Sequence, residues 1–279
     1  MILRRAVALV AALAFGACAA GAQPAVHPAR RIVSLIPSLT EDLFAIGAGA
    51  QVVGVSQFTD YPPAARRLPV ISTVSSVDSE RVVRLHPDVA VGIPSQTALM
   101  AELAKAGIRG AVYADDTYDD IFRDLAALGT LSGHESAAAG LIASLRSETA
   151  ALRRSVGSRP RRPSVFVVLG VAPIFTVGRG SYIEKLIDMA GGINAASASR
   201  SPYPRFSAEA LVALQPDALV VDPTVDLPAV AARAPWSSLR AVRERRVFTL
   251  PEAGILERPG PRYVQGLRWL IERLATVKG

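Results

Sequence analysis

Glu80-Arg-Val-Val-Arg-Leu-His-Pro-Asp88 returns as Glu209-Ala-Leu-Val-Ala-Leu-Gln-Pro-Asp217, with Glu, Val, Leu, Pro and Asp in the same places. Each copy reads as a short helix stopped by proline, and each runs straight into an apolar strand at 89–91 and 218–221. A helix-to-strand unit that recurs about half a chain apart predicts two lobes built alike. The strands and helices between the copies alternate, which predicts an α/β fold with mainly parallel sheets covered on both faces.

The N-terminus stands apart from this pattern. Arg4 and Arg5 precede an apolar run at 6–15, and Ala20-Gly-Ala22 offers a cleavage site, so residues 1–22 read as a signal peptide. The run is shorter than the roughly 20 residues a membrane-spanning helix needs. Cys18, the single cysteine, falls inside this segment. Two outcomes stay open for it: removal with the signal, or lipidation that tethers an exported, periplasmic protein to a membrane. With Cys18 removed, the mature chain has no disulfide and its stability rests on packing. The net charge of +7 and pI near 10.1 could suggest a nucleic-acid partner, but the arginines are dispersed among acids and describe a solvated basic surface.

The expected order begins with a lead-in at 23–30, which includes His27. A strand at 31–36 ends at Pro37, and Ser38-Leu-Thr-Glu41 has the spacing of a reciprocal helix cap. That helix should run over 38–46. Strands follow at 52–56 and 71–73, with a proline-stiffened loop at 58–63 between them. Asp78 should cap the helix bearing Glu80, and helices at 97–106 and 118–131 flank a strand at 111–113. Together 31–132 form a first lobe.

Residues 133–157 are alanine-rich and free of proline, with Leu141, Leu145, Leu152 and Val156 on one stripe. A helix of that length spans roughly 35 Å, enough to back two lobes. The segment 158–163 marks the start of a second lobe at 163–279. It opens with a strand at 165–169 and a second Ser-x-x-Glu cap at Ser181 and Glu184, whose helix ends at Gly191-Gly192. Ser207 should cap the helix bearing Glu209. A last strand is expected at 245–250 and a terminal helix at 262–274, with Trp236 and Trp269 in the core.

Catalytic constellations are missing. There is no Gly-x-Ser-x-Gly, Walker loop or His-Glu-x-x-His. Three scattered histidines, His27, His86 and His134, leave almost nothing for a triad or a metal site. Gly178-Arg-Gly180 reads as a turn feeding the capped helix, because Ile183 stands where a dinucleotide loop has its third glycine. Asp115-Asp116 and Asp119-Asp120 lie at loops or helix starts, where capping is the simple role. An exported two-lobed chain of this kind has the profile of a binding protein and not of an enzyme, with no intrinsic cofactor and no resident metal.

Arg31-Ile-Val-Ser-Leu-Ile-Pro-Ser-Leu-Thr-Glu41, Phe58-Thr-Asp-Tyr-Pro-Pro63, the Glu80 and Glu209 repeats, the 175–180 stretch and Glu257-Arg-Pro-Gly-Pro261 together resemble class III periplasmic solute-binding proteins. These serve importers of vitamin B12, ferric siderophores and haem. The resemblance implies two lobes joined by one rigid backbone helix, a chelate in the cleft between them, and a receptor that is monomeric when free. It also implies that Glu80 and Glu209 meet arginines of a homodimeric ABC permease that works with its ATPase.

Within the family the likeness is greatest to the vitamin B12 branch. It places Phe58, Tyr61, Ile93, Phe175, Tyr203, Arg205, Leu256 and Arg258 around a corrinoid. Val74, Ile93 and Ile255 stand where that branch has aromatics. Haem remains an alternative through Tyr61 or Tyr203 as axial ligand, and an anionic ferric siderophore through Arg205 and Arg258. An exported enzyme with a metal-chelate cofactor is the reading from a different class.

Overall fold

The computed structural model describes residues 27–73, 75–157 and 161–277. The expected signal segment 1–22 with Cys18, the cleft position Val74, and 158–160 at the lobe boundary lie outside the described residues. The first lobe contains β1 (Ile32–Ser34), α1 (Pro37–Ala45), β2 (Val52–Ser56), β3 (Val70–Ser72), α2 (Ser79–Arg84), β4 (Val89–Gly92), α3 (Thr97–Lys105), β5 (Arg109–Val112) and α4 (Tyr118–Ser132). Its strands pair in parallel in the order β3-β2-β1-β4-β5. The expected long helix is α5 (Glu135–Ser155).

The second lobe begins with β6 (Ser164–Val168), the hairpin β7 (Gly170–Val171) and β8 (Ile174–Phe175), α6 (Tyr182–Met189), β9 (Ile193–Asn194), β10 (Arg205–Phe206), α7 (Ala208–Leu214) and β11 (Ala218–Val221). It closes with α8 (Leu227–Ala231), α9 (Arg240–Arg243), β12 (Val247–Thr249), α10 (Gly254–Glu257) and α11 (Tyr263–Ala275). A parallel sheet of order β12-β11-β6-β9 is joined by a small antiparallel one, β10-β8-β7. The central strands β4 and β11 are buried along their whole length, as strands covered on both faces must be.

The repeat carries more of this architecture than its helices and strands. Asp78 Oδ1 accepts from Arg81 N at 2.9 Å and Ser207 Oγ from Ala210 N at 3.1 Å, so both helices are capped as expected. Each copy then turns through a left-handed residue at one matched position, His86 (φ 46°) and Gln215 (φ 43°). The closing aspartates fasten each lobe's first strand. Asp88 Oδ2 accepts from Arg30 N at 2.6 Å and Arg31 N at 2.9 Å, while Asp217 Oδ2 accepts from Ser164 N at 2.8 Å and Ser164 Oγ at 2.9 Å. Their own amides return the bond, Asp88 N to Arg31 O and Asp217 N to Ser164 O.

One cap differs from expectation. Helix α1 starts at Pro37, whose missing N–H and fixed φ suit the first helical turn, and Ile36 is the boundary residue. Ser38 is thus inside the helix, its Oγ buried without a hydrogen-bond partner among the described residues, and Glu41 is drawn away to two arginines. The second Ser-x-x-Glu does form: Ser181 Oγ accepts from Glu184 N at 3.2 Å, and Glu184 Oε2 from Gly180 N at 2.8 Å.

The lobes share a core. One buried cluster contains Leu39 and Val89 of the first lobe, Leu145 of α5, and Val165, Leu186 and Leu267 of the second. At its centre the Tyr263 hydroxyl of α11 lies 2.7 Å from Thr149 Oγ1 of α5 and 3.0 Å from the Tyr118 hydroxyl of α4. Tyr118, Phe122 and Tyr263 meet edge to face at 5.2–6.2 Å, contacts worth about 0.5–1.5 kcal/mol each beyond burial. Trp236 is buried in a second-lobe cluster, and Trp269 is half-buried beneath Arg273.

Burial pushes the Asp217 carboxyl up, but the bonds from Ser164 and the charges of Arg161 and Arg240 outweigh it and leave it below the usual range. Stability from such a group is present above the unfolded value and lost as pH falls through the folded one. Asp217→Ala should therefore cost about 2–4 kcal/mol near neutral pH, against about 1–2 kcal/mol for the exposed Asp88→Ala. Urea unfolding should show the Asp217 gap narrowing toward pH 3; a gap that is constant with pH contradicts the assignment.

Candidate ligand-binding cleft

In a parallel α/β sheet, chain leaving the carboxyl ends of the strands faces the ligand crevice. Phe58 follows β2, Ile93 follows β4, and Asp115 and Asp116 follow β5. From the other lobe Phe175 ends β8, Asp222 follows β11, and the 252–258 segment follows β12. Contacts between these two sets show that the strand ends face each other.

The strongest of those contacts is a clasp built on Glu41. Its Oε1 accepts from Arg258 Nη1 at 2.8 Å and Arg262 Nη2 at 2.9 Å, and its Oε2 from Arg262 Nε at 2.7 Å. The Glu41 side chain is 2% exposed, Arg262 6% and Arg258 17%. Arg258 continues to Asp60 Oδ1 at 2.5 Å and the Phe58 carbonyl at 3.0 Å. Arg262 is held by Glu252 at 2.5 Å and lies 3.9 Å from the centre of the Tyr61 ring. A Cβ at Gly254 would strike the Arg262 guanidinium, so the clasp uses the close approach that glycine permits. Burial pushes the Asp60 carboxyl up, and the Arg258 bond and charge outweigh it to leave it low.

The expected site residues fall into three groups. Phe58 (64% exposed), Phe175 (half-buried) and Tyr203 (44% exposed) offer aromatic surface. Phe58 does so from φ 68°, a left-handed conformation that costs a bulky residue about 1–3 kcal/mol and is held by Arg258 on its carbonyl. Arg205 pairs with Phe175 across the strands and lies 5.6 Å from its ring centre. Tyr61 and Arg258 serve the clasp: one has a face covered by Arg262, and the other is bound to two carboxylates. Leu256 is fully buried and Ile93 and Ile255 nearly so, which makes them backing for the wall and not its surface.

The Tyr203 loop is laid on the 176–178 segment by Gly178 N to Pro202 O at 2.8 Å and Thr176 N to Pro204 O at 3.3 Å. A side chain at Gly178 would collide with the Ser201 carbonyl. Burial and the charges of Asp115, Asp116 and Glu257 push the Tyr203 hydroxyl up to about 12. Burial and Asp116 raise Asp115 to about 6, and burial with a hydrogen bond to Asp222 raises Glu257 to about 9.

Asp115 and Glu257 were not expected at the site; Asp115 offered only an acidic pair read as a cap. Thr117 is the boundary residue of α4, and Asp120 completes its cap by accepting from Thr117 N at 2.7 Å. A cavity of about 630 Å³ lies beside α5, lined among others by Thr149, Arg153, Ser181 and Lys185, and none of the expected ligand residues reaches it. No group of three or more His, Cys, Asp or Glu able to hold a metal occurs among the described residues. Glu80 and Glu209 are both exposed in first helical turns, Glu80 lying 3.7 Å from Arg84.

The family model described as "Periplasmic binding protein" matches residues 32–253. The chain belongs to that family. It is 31% identical over 239 residues to the vitamin B12-binding protein of Vibrio cholerae, covering 84% of this chain and 85% of the relative. It is 29% identical over 253 residues to YvrC of Bacillus subtilis, an uncharacterized ABC transporter substrate-binding lipoprotein, covering 88% and 80%. The apo structure of the periplasmic haem-binding protein RhuT from Roseiflexus sp. RS-1 superposes with a TM-score of 0.79 at 29% identity, covering 88% and 97%. The periplasmic binding protein fold of two α/β lobes is thus shown, and the chain is an exported binding protein. No helix among the described residues is long and apolar enough to cross a membrane.

Behind the clasp, Asp42 is fully buried with neither oxygen hydrogen-bonded among the described residues, and burial, then Asp124 and Glu41, push its carboxyl well above the usual range. Folding therefore takes up a proton here, and its contribution to stability falls as pH rises from the unfolded value toward the folded one. Asp42→Asn should raise the melting temperature by about 2–6 °C near pH 8 and by progressively less toward pH 4. A gain that grows on acidification would contradict this.

Proposed function

We propose that this protein is the substrate-binding component of an ABC importer, capturing a corrinoid such as cobalamin between its lobes and delivering it to a permease. The observation that carries the ligand class is the set of aromatic side chains, Phe58 and Tyr203 from loops and Phe175 from the end of β8, contributed by opposite lobes. Aromatic faces bury the broad surface of a flat macrocycle at low entropy cost. The relative named for vitamin B12 supports the same choice.

Haem is the second reading, favoured by the haem-binding structural neighbour. A tyrosinate ligand to iron must lose its proton. Burial and the acids around Tyr203 oppose that loss, and the Tyr61 ring lies under Arg262. Both observations count toward the corrinoid.

Glu80 and Glu209, exposed on matched helices of the two lobes, are proposed to meet basic residues on the two halves of a homodimeric inner-membrane permease that works with its ATPase. The receptor is proposed to be monomeric when free and periplasmic. The lobe bounds 31–132 and 163–279 and the fate of Cys18 belong to the same proposal.

The purified mature chain, mixed separately with cyanocobalamin, haemin and ferric siderophores, should co-elute with the cobalamin colour. It should melt about 5–10 °C higher when that ligand is about 100-fold above Kd. Failure with all three chelate classes contradicts the receptor reading. Glu80→Arg combined with Glu209→Arg should abolish corrinoid uptake by cells while leaving Kd unchanged; undiminished uptake contradicts the docking role.

A further inference from the structure

The chain carries a net charge of +7, yet its cleft has the opposite character. Arg258 and Arg262, the arginines deepest between the lobes, face three carboxylates, Glu41, Asp60 and Glu252, at 2.5–2.9 Å. Two cations against three anions leave the clasp net negative. At the strand ends that face this clasp stand Asp115 and Asp116 after β5, Asp222 after β11 and Glu257 after β12, and the charges of Asp115, Asp116 and Glu257 act on the Tyr203 hydroxyl.

Arg205 has no carboxylate partner among the described residues, but its side chain is exposed and its guanidinium lies over Phe175.

Resting on the chelate-receptor reading, we infer that the cleft selects its ligand by charge, taking a chelate with an uncharged, N–H-rich periphery and turning away one that carries free carboxylates. Asp115 and Asp116 are the specificity-determining residues. Their carboxylates accept hydrogen bonds from peripheral amides, which are strong because one partner is charged. A ligand carboxylate in the same place meets like charge in a partly desolvated cleft, and the clasp arginines Arg258 and Arg262 are already neutralised. Partial burial of Asp115 limits screening by salt without abolishing it.

Two matched ligand pairs test this on the full mature chain: cyanocobalamin against its derivative with one peripheral amide hydrolysed to a carboxylate, and haemin dimethyl ester against haemin. Titrations near neutral pH should show the uncharged member of each bound pair at least about tenfold tighter. That ratio should shrink at high salt and in Asp115→Asn combined with Asp116→Asn, whose melting temperature without ligand reports on folding. Equal or tighter binding of the carboxylate member overturns the inference while leaving the receptor reading intact. A ratio unchanged in the folded double variant overturns the role of the two aspartates. Binding of neither pair overturns both the inference and the reading on which it rests.

Discussion

Glu41 sits almost without exposure between two arginines of the opposite lobe, and much of the cleft depends on that arrangement. Burying three charges costs several kcal/mol per ion, recovered only when geometry is close and the remaining donors are satisfied. Here Arg262 is satisfied by Glu41 and Glu252, and Arg258 by Glu41, Asp60 and the Phe58 carbonyl. Removing one member would leave charges stranded, a loss of about 3–5 kcal/mol in comparable buried pairs. The clasp therefore acts at once on lobe spacing and on the loop that holds Phe58 outward.

Two further devices keep that spacing. The tyrosine joint at Tyr263 ties α4, α5 and α11 together behind the cleft, and one hydrophobic cluster passes through both lobes. A hinged receptor needs a weak interface between lobes, whereas this one is continuous with the core. The frame that carries the candidate cleft is therefore stiff, which lowers the ordering cost of binding there.

The repeat that reveals the two lobes also builds them. Its glutamates point outward, its left-handed turn redirects the chain, and its aspartates fasten β1 and β6. The helix–strand alternation, the backbone helix and the caps at Asp78, Ser181 and Ser207 were legible because each depends on neighbouring residues. The Ser38 cap was misread because Pro37 offers a helix start one residue earlier and Glu41 finds better partners. The clasp itself was hidden: Glu41 and Arg262 lie 221 positions apart, and no local pattern announces a contact over that separation. The commitment of Arg258 to Glu41 and Asp60 was not legible. Leu256 is fully buried, and spacing alone does not separate a surface residue from the one behind it.

Cyanocobalamin titrated calorimetrically into the parent protein and into Glu41→Gln, below the melting temperature of both, tests most directly that a clasped inter-lobe cleft is the corrinoid site. The parent should bind, and the variant should bind at least about tenfold more weakly because Arg258 and the Phe58 loop it holds are released. Equal affinity in the two proteins, or no binding by the parent, would contradict the account.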